Sequence, residues 1–96
     1  MNGARGEVAI MIDGRVRTLC LTLGALAEIE TAFGCQTLGE LQARMRTLSA
    51  GELIEVLACL LRGGGETEAA QAVAALGVKP AEAARAVAEA FRAAVG

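Results

Sequence analysis

Residues 49–65 read SAGELIEVLACLLRGGG, and the fold is decided by how this stretch is taken. At about 100° per residue, Leu53, Ile54, Val56, Leu57, Ala58, Leu60 and Leu61 sweep more than half of a helix circumference. Glu52, Glu55, Cys59 and Arg62 fall on the strip that remains. A helix with so wide an apolar arc is expected to be covered on several sides and to act as a hub for its neighbours. Its ends are marked too. Ser49 and Glu52 have the spacing of a capping box, and Gly63 follows Arg62 as a stop.

Working outward toward the N-terminus, Thr37 and Glu40 form a second capping box. They open a helix over about 38–48, with Leu38, Leu41, Met45 and Leu48 as a narrow stripe and Arg44 and Arg46 facing solvent. Before it, Thr22 caps a helix over 23–33 that stops at Gly34, with Leu26, Ile29 and Phe33 on its buried side. Glu30 sits at the margin of that side. It reads either as half of an ion pair with an arginine such as Arg62 or as a hydrogen-bond anchor for a partner.

The first segments are different in kind. Residues 7–12 and 15–21 are rich in β-branched and apolar residues and flank Asp13-Gly14, a hairpin turn signal. A two-residue loop places Ile10 and Ile12 on the face of Arg15 and Arg17. A three-residue loop with a bulge instead matches Ile12 to Val16. The open edges of such a ribbon can accept a strand from a partner or from a second copy. Residues 1–6 are small and polar and are expected to fray.

On the other side of the hub, Thr67 can cap a short helix over about 67–76. Pro80 suits the first position of a last helix over 80–95, anchored by Val87, Phe91 and Val95. Glu82, Arg85, Glu89 and Arg92 lie on one side of it at ion-pair spacing. The expectation is therefore a single α+β domain, mostly α. An N-terminal hairpin is followed by four to five short helices packed round the 50–62 helix.

Composition narrows function by exclusion. The chain has 96 residues, nine Lys and Arg against eleven Asp and Glu, and no His. Without imidazole, the common serine and cysteine triads and most zinc sites cannot be built. Cys20, Cys35 and Cys59 form no CxxC spacing and are expected as reduced thiols. RGGGET before a helix resembles an anion-binding loop but lacks the GxxxxGK[ST] pattern. The acidic balance argues against a phosphate-binding face, and a helix-turn-helix over 37–62 would present Glu52 and Glu55 to DNA. With no catalytic residue, metal ligand or cofactor-binding residue apparent, surface for another polypeptide remains. The candidates are the hairpin, through Ile10, Ile12 and Val16, and the alanine-rich last helix, through Ala86, Ala90 and Ala93. For both, the alternative is packing within the monomer. The chain has no membrane-length apolar run and no leader pattern, so a cytoplasmic location is expected.

The order GEVAIMIDGRVRTLCLTLGALAEIETAFG, then a leucine-patterned segment, then LSAGELIEVLACLLRGGG resembles a family encoded in the tail gene clusters of bacteriophages and gene transfer agents. The similarity rests on Leu23 to Glu30 (with Gly24, Ala25, Leu26, Glu28 and Glu30), on Phe33-Gly34, and on Leu61-Arg62-Gly63-Gly64-Gly65. It spans about Gly6 to Gly65; beyond that it is one of helical, alanine-rich character. The resemblance implies a non-enzymatic tail morphogenesis protein, with these motif residues structural or partner-binding. Such proteins look like tail assembly chaperones that hold the tape-measure protein soluble during tail assembly. The family is also labelled a tail tube component, and that reading stays open. Implied partners are the tape-measure or other tail proteins, or further copies of the chain, with no nucleic acid and no membrane.

Overall fold

A computed structural model describes residues 6–95, with the side chain of Val95 outside the description; residues 1–5 of the segment expected to fray are also outside it. The chain runs through β1 (Glu7–Ile12), β2 (Arg15–Cys20), α1 (Leu23–Phe33), α2 (Leu38–Arg44), α3 (Ala50–Gly63), α4 (Thr67–Ala72), a 3-10 turn at Val73–Ala75, and α5 (Pro80–Val95). This is the expected α+β arrangement.

The hairpin settles the register. Asp13 and Gly14 both have positive φ, 54° and 80°, so the two-residue loop forms and Ile12 faces Arg15 while Ile10 faces Arg17. One face carries Ile10, Ile12 and Leu19 into the core. The other carries Met11 and its cross-strand neighbour Val16, which are 51% and 66% exposed.

The hub helix behaves largely as its arc dictates. The Ser49–Glu52 capping box is complete, and Val56, Leu57, Leu60 and Leu61 are buried among β2, α1, α4 and α5. Cys59 departs from the reading. Although it lies on the polar strip, it is buried, because α1 closes over that side of α3. Ile54, inside the apolar arc, is exposed instead.

The other helices fit with local adjustments. Thr22 and Thr37 cap α1 and α2 through their hydroxyls, and Gly34 ends α1 in the left-handed conformation at φ 69°. α2 is shorter than its stripe suggests. After Arg44 the chain tightens, with Arg46 N–H donating to Ala43 O and Thr47 N–H to Arg44 O, before extending into the Ser49 cap. Thr67 does not cap α4. Glu66 occupies the cap position with no side-chain cap bond, since its carboxylate is engaged elsewhere. On α5, Ala83, Ala86, Val87 and Ala90 are buried, and the small side chains let the helix lie close to β1 and α3.

Candidate partner surfaces and the motif junction

The sequence motifs converge on one junction, where the end of α3 meets β2 and the start of α1. A Cβ at Gly63 would approach Cys20 O, and one at Gly64 would approach Thr18 O, both closer than 3.0 Å. Glycine is therefore required for α3 to end against the β2 backbone. Gly65 has φ 83° and turns the chain away, which brings Glu66 alongside the strand. The Glu66 carboxylate accepts from Thr18 N–H at 3.0 Å and from Arg17 Nη1 at 3.1 Å. The glycine run is thus a close-packed junction rather than the anion loop its pattern resembles.

Ala25 packs against Gly63 in the same place, and one helical turn later Glu28 meets Arg62. Arg62 Nε and Nη2 both donate to Glu28 Oε1, at 3.0 and 2.8 Å. The guanidinium holds the Glu28 carboxyl below its ordinary value, and burial pushes the neighbouring Cys59 thiol up. Arg62 therefore pairs with Glu28 and not with Glu30, because Glu28 follows Ala25 onto the side of α1 facing α3. Glu30 is half-buried, and its backbone carbonyl accepts from Gly34 and Cys35. Phe33 receives the Arg44 guanidinium 5.2 Å from its ring centre, while Arg44 also pairs with Glu52. Leu26 is partly buried against the core, and Gly24 has no close neighbour beyond its own cap residue.

The strand edges expected to be open are partly occupied. On β2, Glu66 takes Thr18 N–H, and the α3 glycines lie against the Thr18 and Cys20 carbonyls. On β1, Arg85 Nη2 donates to Ala9 O at 3.4 Å, and Gly77 O accepts from Asp13 N–H at 3.0 Å. Arg85 also pairs with Glu82 and Glu89, and it holds the Glu82 carboxyl below its ordinary value. Arg92, expected in that series, has no ion pair among the described residues.

The candidate partner residues divide accordingly. Ile10, Ile12, Ala86 and Ala90 are in the core, so packing within the monomer accounts for them. Their burial follows from the two-residue register and from α5 lying on β1. Val16 and Ala93 are exposed.

The surface feature missed by sequence reading is a groove of about 640 Å³ between α2 and α5, floored by Met45, Leu48, Leu53, Val87 and Phe91 and rimmed by Arg46 and Arg92. Phe91 also lines a smaller cavity of about 210 Å³ on the other side of α2, beside Leu23 and Leu38. Leu23 is 83% exposed. The signal was present in the narrow apolar stripe of α2, which is too thin to fill the space it faces.

Among the described residues no cluster of His, Cys, Asp and Glu could hold a metal ion, and no helix is long and apolar enough to cross a membrane. No curated protein and no solved structure matches the chain. The family model described as phage tail tube protein, GTA-gp10, matches residues 5–96, nearly the whole chain and including the glycine junction and both capped strands, and the chain belongs to that family of phage and gene transfer agent tail proteins.

Proposed function

We propose that this tail protein acts as an assembly chaperone, binding the tape-measure protein in the host cytoplasm while the tail is built, and that it has no catalytic activity of its own. The observation that carries the reading is the closure of the hairpin. A subunit that builds a tube through shared sheets has to offer strand edges to its neighbours. Here the edge groups at Ala9, Asp13 and Thr18 are engaged by Arg85, Gly77 and Glu66 of the same chain. What the surface does offer is apolar and helical, suited to covering the exposed stripe of another helix.

A tube component is the second reading, and the description of the family favours it. In that case neighbouring copies would meet through side-chain faces such as the Met11–Val16 pair, not through added strands. Co-expression with the tape-measure protein of the same gene cluster tests the chaperone reading. The soluble fraction of the tape-measure protein should rise with this chain present. An unchanged, insoluble tape-measure protein would contradict the proposal.

A further inference from the structure

We infer that the groove between α2 and α5 is a docking site for one amphipathic helix of another tail protein, with acidic residues beside its apolar stripe. The inference rests on the chaperone reading for the source of that helix, but the groove's chemistry stands on its own observations.

The walls come first. They are helices and the turn after α2, and the α5 side runs from Ala84 to Arg92, about 12 Å or two helical turns. A wall of this kind has no free strand edge, so an extended occupant would leave its own backbone groups without partners. A helix brings its backbone bonds with it and needs only apolar side chains at i, i+3 or i+4, and i+7 to meet Leu53, Val87 and Phe91.

Charge then selects the flanks. Arg46 and Arg92 line the groove together with Gln42, no carboxylate lines it, and neither arginine has an ion pair among the described residues. On a chain of net charge −2 this is a local excess of positive charge around an apolar floor. Glu or Asp beside the stripe of the incoming helix complements it.

A second copy of the chain is a poorer occupant. The exposed large apolar residues are Met11, Val16, Leu23, Leu38 and Ile54, so no described helix shows more than one. None can supply a two-turn stripe without unfolding.

The test uses the full chain and a labelled model peptide of about 18 residues, past the length at which isolated helices are marginal. It carries a leucine stripe flanked by Glu, and a matched peptide carries Lys instead. Fluorescence anisotropy should show the acidic peptide binding and the basic one binding about tenfold more weakly or less. The variant Arg46→Glu/Arg92→Glu changes only exposed side chains and should invert that preference, and Ala88→Trp, which fills the groove from its exposed wall, should weaken both. Equal binding of both peptides, or binding untouched by these variants, would overturn the inference, as would self-association of the chain through the same arginines. Repeating the tape-measure solubility assay with the variants separates the two ideas. If the wild type and both variants solubilise equally, the groove assignment falls while the chaperone reading stands. If the peptide preference inverts as expected but the wild type leaves the tape-measure protein insoluble, the groove stands and the chaperone reading falls.

Discussion

Glu66 Oε2 accepts the backbone N–H of Thr18 at 3.0 Å, so a carboxylate stands where the next strand of a sheet would be. Its other oxygen holds Arg17, whose guanidinium crosses the inner face of the hairpin and has a side chain only 24% exposed. On the opposite edge Arg85, paired with Glu82, reaches Ala9 O at 3.4 Å. A two-stranded ribbon is marginal alone. Here it is finished by side chains from the helical part, and that ties the hairpin to α4 and α5.

Replacing Glu66 should therefore cost more than an ordinary surface substitution. Glu66→Ala strands both Thr18 N–H and the half-buried Arg17, with an expected loss of about 2–4 kcal/mol. Glu66→Gln keeps an acceptor and should lose only about 1 kcal/mol. Urea unfolding of the two variants measures this, and equal, negligible losses would show that the cap does not matter.

The glycine run makes a sharper prediction. Gly63→Ala and Gly64→Ala each push a Cβ into the β2 backbone, which cannot yield as a flexible side chain would. Each should lose about 3 kcal/mol or more, or fail to fold. Gly51→Ala meets nothing within 4 Å inside α3 and should instead gain about 0.5–1 kcal/mol. Thermal melts of the three variants decide it.

Stability should depend on pH only on the acid side. Glu28, Glu52 and Glu82 have carboxyls held below the ordinary 4.5 by Arg62, Arg44 and Arg85. Because their folded values are depressed, their contribution is fully present above 4.5 and is lost as the pH falls through the folded values. With no His in the chain, Tm should be level from about pH 6 to 8. Melting curves across pH 3–8 that broke near neutrality would contradict this assignment.

Cys59 should be the slowest thiol. It is buried, and burial and the neighbouring Glu28 raise its pKa, outweighing the opposite pull of Arg62, whose Nη2 lies 3.5 Å from its sulfur. Alkylation of the native protein followed by peptide mapping should leave Cys59 unmodified while the partly exposed Cys35 reacts, and unfolding should remove the difference. Early modification of Cys59 would mean that α1 opens readily from α3.

Local signals carried much of the fold. Thr22, Thr37 and Ser49 each cap the helix they precede, and Asp13-Gly14 makes the turn its residues favour, because these bonds close within a few positions. The edge caps were not legible, since Glu66 and Thr18 are 48 residues apart and nothing local distinguishes Glu66 from a solvated carboxylate. The Arg62 pair was read at Glu30, at the margin of the apolar arc, whereas the Ala25–Gly63 packing, invisible locally, turns the Glu28 side of α1 toward α3. Alanine gave the least warning. The same small side chains suit a partner or the protein's own sheet, and α5 spends Ala86 and Ala90 on β1 and α3. The groove was hidden for a related reason, because it arises from a thin stripe on α2 meeting a wide space.

In the chaperone role proposed above, this family member helps build the tail without remaining in it as a building block. Quantitative mass spectrometry of purified particles tests that directly. The chain should be absent or present far below the copy number of the major tail subunits. Copy numbers equal to those of the tube would contradict it and establish the protein as a structural component.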